Sequence, residues 1–186
     1  MNNNLIITIG REYGTGGREI GQKLALRLGI PFYDRELITR AAKKTGFDEK
    51  LFEQLDKLAT NSFLYSLTMF GSVDLNGMSL TDQLYLAQSN VIREMAEESS
   101  CVIVGRCADH VLRDCPNKFD FFIDGSIEDR VKRIQTCGDY EIEGKTPQAA
   151  LDKMDKQRST YYNYYTGKVW GECDHYDMCI NAGRLG

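Results

Sequence analysis

The tightest constraint on this chain is the passage from Leu5 to Leu28, where an apolar run ends in glycines and gives way to helical spacing. Leu5-Ile6-Ile7-Thr8-Ile9 is nearly continuous and rich in β-branched residues, the pattern of a strand buried on both faces. Gly10 to Gly17 follow, and Ile20, Leu24 and Leu28 then recur at helical spacing until Gly29. The unit is strand, glycine loop, helix. Ile30-Pro31-Phe32-Tyr33 predicts a second short strand closing on Asp34, with another helix beginning at Leu37, Ile38 and Ala41.

From about Phe47 to Ser100 the pattern is helical, carried by Leu51, Leu55 and Leu58, then by Leu80, Leu84, Ala87, Val91 and Met95, with a loop between them at Ser72 to Ser79. Strands return at Cys101 to Gly105 and at Phe119 to Asp124, and a last one is expected at Met178-Cys179-Ile180. Ser126 is placed to cap a helix carrying Ile127, Val131 and Ile134, and Thr146-Pro147 opens a long helix toward Tyr165. Alternating strands and helices predict an α/β domain of three layers, a parallel sheet between helices, with ligands at the carboxyl ends of the strands. At 186 residues one domain is expected.

The glycine loop lies at such an end. Its backbone N–H groups and the following helix dipole suit an anion, and phosphate is the natural guest. The competing reading of the same glycines is a tight strand-to-helix turn. The net charge of −4 gives no general attraction to nucleic acid or to an anionic membrane, so any polyanion must bind at a local basic site. No run reaches transmembrane length and Met1-Asn2-Asn3-Asn4 lacks signal-peptide character, which makes the cytoplasm the default expectation. The six cysteines form no CxxC pair and are expected as reduced thiols. Cys173 with His175 lacks a second close pair to complete a metal site.

Four stretches together carry a resemblance. Ile9 to Ile20, Pro31-Phe32-Tyr33-Asp34-Arg35-Glu36-Leu37-Ile38, Val102-Ile103-Val104-Gly105-Arg106, and Tyr161 to Lys168 with Trp170-Gly171 and Tyr176-Asp177 are similar to the cytidylate kinase-like family of P-loop proteins. The resemblance implies a nucleoside monophosphate kinase fold with a five-stranded parallel core. It also implies a helical acceptor-binding region over about 47–100 and a lid over about 138–170. It further implies transfer of phosphate from ATP, with Mg2+, to a nucleoside monophosphate, CMP or dCMP, with small nucleotides as partners. A homo-oligomer is compatible with the apolar helix from Leu84 to Met95, and a final helix is expected after Gly183.

The departure from the usual loop is as informative. The pattern GxxxxGK[ST] supplies a lysine for the β and γ phosphates and a hydroxyl for magnesium. Aligned on Gly14-Thr15-Gly16, this chain has Gly17 at the lysine position, Arg18 next, and Glu19 where a hydroxyl often stands. The donor site expected is therefore Gly14, Thr15, Gly16, Gly17, Arg18 and Glu19, with Arg18 supplying the charge by a bidentate grip. Exposed first-turn residues are the alternative for Arg18 and Glu19. The resemblance puts Arg106 on the acceptor phosphate and Asp34 at the acceptor mouth with Arg35 beside it, against the plainer roles of a strand-end ion pair and a helix cap. Arg158 is the expected lid cation, whereas Arg130, Arg133 and Lys156 read as solvated helix residues. Tyr161 and Tyr165 should pack into a core or partner surface, with Tyr162 and Tyr164 toward solvent or ligand.

Two other functions remain open from sequence. One is a nucleotide-binding protein that kept the loop and lost transfer. The other is a dinucleotide-dependent oxidoreductase, because Asp34 lies about twenty residues past the glycines.

Overall fold

The computed structural model describes residues 3–34, 40, 44, 78–138, 140 and 146–185. Arg35, the helix expected from Leu37, the apolar residues Leu51, Leu55 and Leu58, and most of the Ser72 to Ser79 loop lie outside these residues, as does part of the expected lid.

Five strands form one parallel sheet in the order β2-β3-β1-β4-β5. They are β1 (Ile6–Arg11), β2 (Phe32–Tyr33), β3 (Cys101–Val104), β4 (Lys118–Asp124) and β5 (Met178–Asn181). The first strand is central, paired to β3 on one side and β4 on the other, which is why its apolar run shows no alternation. It runs two residues beyond that run, because Gly10 pairs with Phe122 and Arg11 with Ile123.

The helices are α1 (Gly17–Leu28), α2 (Leu80–Glu98), α3 (Ala108–Val111), α4 (Ile127–Thr136), α5 (Pro147–Thr166) and α6 (Ala182–Leu185). The strand period of two sorts β1 between two cores. Ile6 joins Ile103, Leu84, Val91, Ile92, Met95, Tyr161 and Tyr162, so α2 and α5 cover that face. Ile7 and Ile9 join Val102, Val104, Ile123 and Ala25, so α1 covers the other. Each fully buried aliphatic side chain, such as Ile92, contributes about 1.5–3 kcal/mol. Three layers result, as expected.

The helix starts follow their capping signals. Ser79 accepts a hydrogen bond from the Asp82 amide at 3.1 Å, Ser126 from Asp129 at 3.1 Å, and Thr146 from Ala149 at 3.2 Å. Proline stands in the first turn of α5. Among the described residues no helix is long and apolar enough to cross a membrane.

Candidate functional site

The loop between Arg11 and α1 turns on two left-handed glycines, Gly14 at φ +82° and Gly16 at φ +79°. Space adds to the backbone argument at Gly16. A Cβ there would lie 2.6 Å from the Arg133 guanidinium carbon, so a side chain at position 16 would push that arginine aside. Among the described residues no acceptor takes the amides of Gly14, Thr15, Gly16, Arg18 or Glu19. They form the concave donor set that a phosphate needs.

A polar brace holds the loop from behind. Arg130, only 6% exposed, donates from Nε to the Tyr13 carbonyl oxygen at 2.8 Å and pairs with Glu12 at 3.1 Å and with Asp155. The Asp155 carboxylate accepts the Tyr13 amide at 2.7 Å, and Glu12 accepts that of Gly125 at 3.2 Å. Burial raises the Glu12 carboxyl above its ordinary range, against the pull of Arg130. The solvated reading of Arg130 is thus corrected: its position on α4 faces the loop, where desolvated carboxylates need a counter-charge. Arg133 is corrected as well, since it lies over Gly16 and pairs with Glu19, which also holds Lys23 at 2.6 Å. A cavity of about 270 Å³ opens here, lined by Gly14 to Gly16, Glu19, Lys23 and Arg133 among others.

Arg18 is not at this cavity. Its guanidinium, 53% exposed, pairs with Asp34 at 2.7 Å and lies 5.9 Å from the Phe32 ring centroid. This corrects its expected place over the loop. Residue 18 leaves the helix on the side of β2, where the Asp34 carboxylate draws it. Gly17, at the start of α1, is buried.

A second cavity, of about 240 Å³, opens at the carboxyl ends of β1 and β3 beneath α5. Arg11, Arg106 and Arg158 line it with Asp34, Asp109 and Tyr162. Arg106 stands in a run of left-handed residues, Gly105 at φ +78°, Arg106 at +59° and Cys107 at +55°. A left-handed arginine is a strained residue of the kind found at functional sites. Arg158 donates from Nη1 to the Arg11 carbonyl oxygen at 3.0 Å and lies 5.2 Å from the Tyr13 ring centroid. Lys156 is exposed on the same helix.

The cations outweigh the acids in this cavity. Burial first, and then Arg158, push the Arg11 guanidinium down to about 9; burial lowers Arg158 too. At the cavity wall Tyr162 donates to Asp109 at 2.6 Å, and burial raises the Asp109 carboxyl. Tyr161 and Tyr162 are both buried, while Tyr164 is 47% exposed.

The sequence-predicted donor residues Gly14, Thr15, Gly16 and Glu19 meet at one cavity, and Asp34, Arg106 and Arg158 meet at the other. Sequence reasoning missed Arg11, Arg133, Asp155 and Asp109. For Arg11 a signal existed, since an arginine ending a buried strand at a ligand-binding edge has the same warrant as Arg106.

A parallel sheet in this order, with a glycine nest after its central strand and an arginine-lined cavity beside it, defines the P-loop kinase fold. The chain belongs to the cytidylate kinase-like family, whose model matches residues 6–184. It is similar to the crystal structure of an uncharacterized protein from Eubacterium ventriosum ATCC 27560, with 32% identity, 97% of this chain and 89% of that one covered, and a TM-score of 0.66. Shikimate kinase from Bacteroides thetaiotaomicron shares the fold at 14% identity, with 96% and 86% covered and a TM-score of 0.55. No curated protein matches the chain in sequence.

Proposed function

We propose that this protein transfers the γ-phosphoryl group of ATP to a nucleoside monophosphate, with CMP or dCMP as the preferred acceptor. The observation that carries the reading is the pair of cavities flanking the end of β1, one offering unpaired amides and the other arginines. The nest from Gly14 to Glu19 holds the donor phosphates, Arg106 holds the acceptor phosphate, and Arg158 comes down from α5 to neutralise charge. Asp34 hydrogen-bonds the acceptor at the cavity mouth, with Arg35 next to it in the chain.

Phosphoryl transfer through a loose transition state depends on positioning and on charge neutralisation. A monophosphate ester has its second ionisation near pH ~6, so the acceptor is already an anionic nucleophile and needs no general base. Magnesium supplies further neutralisation when bound with the nucleotide. It takes phosphate oxygens, water and one or two carboxylates. The buried Asp124 Oδ1 at the end of β4 has no hydrogen-bond partner among the described residues and fits that demand.

The absent loop lysine favours a second reading, a nucleotide-binding protein without transfer. A coupled assay for ADP over a panel of nucleoside monophosphates decides between them. Turnover concentrated on one or two acceptors supports the kinase. Calorimetric binding of Mg-ATP with no ADP above the background of folded protein alone supports the second reading.

A further inference from the structure

The conventional loop places glycine first and lysine seventh. Here the two have changed places in character: Arg11 stands first and Gly17 seventh. The structure gives this exchange a physical meaning. A Cβ built on Gly17 would lie 2.7 Å from the Arg11 Cβ and 3.1 Å from its Cγ. The stem of Arg11 therefore fills the space through which a side chain at position 17 would leave the helix. Its head continues to Gly105, where Nη1 occupies the place a Cβ would take. Two glycines, one on each side, clear a path for one arginine.

The head of that arginine is positioned for an anion. Arg11 lines the cavity that holds Arg106 and Arg158, and among the described residues no carboxylate forms an ion pair with it. Its backbone is fixed by β4 through the pairing with Ile123 and by Arg158 at its carbonyl oxygen. A group so held needs little reorganisation when charge develops nearby.

We propose that Arg11 replaces the loop lysine as the cation that contacts the transferring phosphoryl group, reaching it from the end of β1 instead of from the first turn of α1. The assignment rests on the phosphotransferase reading. In the step, an acceptor phosphate oxygen forms a bond to the γ-phosphorus while the bond from that phosphorus to the β–γ bridging oxygen breaks, and ADP leaves. Arg11 gains and loses no proton. Its fork grips two oxygens where a lysine would offer a point charge.

The test is a cycle of Arg11→Gly, Gly17→Lys and the double variant, with Arg11→Gln as a control that keeps the side-chain stem and removes the charge. Melting temperature, Mg-ATP affinity by calorimetry and ADP release are read for each. Arg11→Gln and Arg11→Gly are expected to lose about 100-fold or more in kcat. Gly17→Lys alone should melt lower, because its Cβ meets the Arg11 stem. The double variant, which restores the first glycine and the lysine of the usual loop but leaves Arg18 at the hydroxyl position, should recover that loss and regain at least about tenfold in kcat over Arg11→Gly. Full kcat in Arg11→Gln with only acceptor KM raised overturns the assignment. So does a Gly17→Lys penalty that is identical in both backgrounds. If the natural protein transfers phosphate to no acceptor, the phosphotransferase reading falls. The coupling of positions 11 and 17 in melting and in Mg-ATP affinity still decides whether Arg11 stands in for the lysine.

Discussion

Arg130 on α4 donates its Nε hydrogen to the carbonyl oxygen of Tyr13, 117 residues earlier, at 2.8 Å. The same guanidinium balances Glu12 and Asp155, so the back of the glycine loop is built from a helix far along the chain. Removing it strands two partly buried carboxylates. Arg130→Met is expected to cost about 3–5 kcal/mol in urea unfolding, well beyond the loss of packing alone. A cost below about 1 kcal/mol would show that the carboxylates find water instead.

The pair of Arg18 with Asp34 predicts the opposite behaviour. With Arg18 more than half exposed, the pair is screened, and Arg18→Ala should change stability by no more than about 1 kcal/mol. It should also leave Mg-ATP affinity within about threefold, a range corresponding to ~0.7 kcal/mol. A loss of tenfold or more in that affinity would return Arg18 to the donor loop.

Tyr162 and Asp109 give a dependence on pH. Burial holds the Asp109 carboxyl above its ordinary 3.8, and the hydroxyl of Tyr162 pulls it partly back. Because the native state keeps this proton to higher pH than the unfolded chain, its contribution is full below 3.8 and is lost as pH rises through the native value. Without the Tyr162 hydroxyl that native value moves higher still. Tyr162→Phe should therefore cost about 1–3 kcal/mol at neutral pH and distinctly less near pH ~4, read from thermal melts across that range. A penalty independent of pH would place its origin in packing alone.

Arg11 titrates in the other sense. In the free protein its guanidinium sits down at about 9, and a bound phosphate raises it. Below pH 9 both states are charged and affinity is full; above it binding must take up a proton, so Mg-ATP affinity should fall as pH rises. Calorimetry at pH 9 in buffers of different ionisation enthalpy should show that uptake, and Arg11→Gln should abolish it.

The sheet was legible because β1 and β3 are buried on both faces, and burial writes itself into composition at Ile6, Ile7, Ile9 and Val102 to Val104. Caps at Ser126 and Thr146 were legible because they act locally. The last two residues of β1 were not, since backbone pairing with Phe122 and Ile123 holds Gly10 and Arg11 without regard to their side chains. Three residues of the arginine-lined cavity, Asp34, Arg106 and Arg158, could be named from the resemblance. The turn of Arg18 toward Asp34 could not, because helix periodicity gives a residue's face but not the direction its long side chain takes. Arg130 and Arg133 were misread for a related reason: a charged pair on a helix looks solvated until the carboxylates that receive it come from Glu12, Glu19 and Asp155, distant in the chain.

Asp155 and Arg158 stand three residues apart on α5, the first gripping the Tyr13 amide and the second entering the arginine-lined cavity. One rod of 20 residues is thereby fastened to both halves of the machinery. In the proposed function the guests of the two cavities therefore bear on one and the same rod.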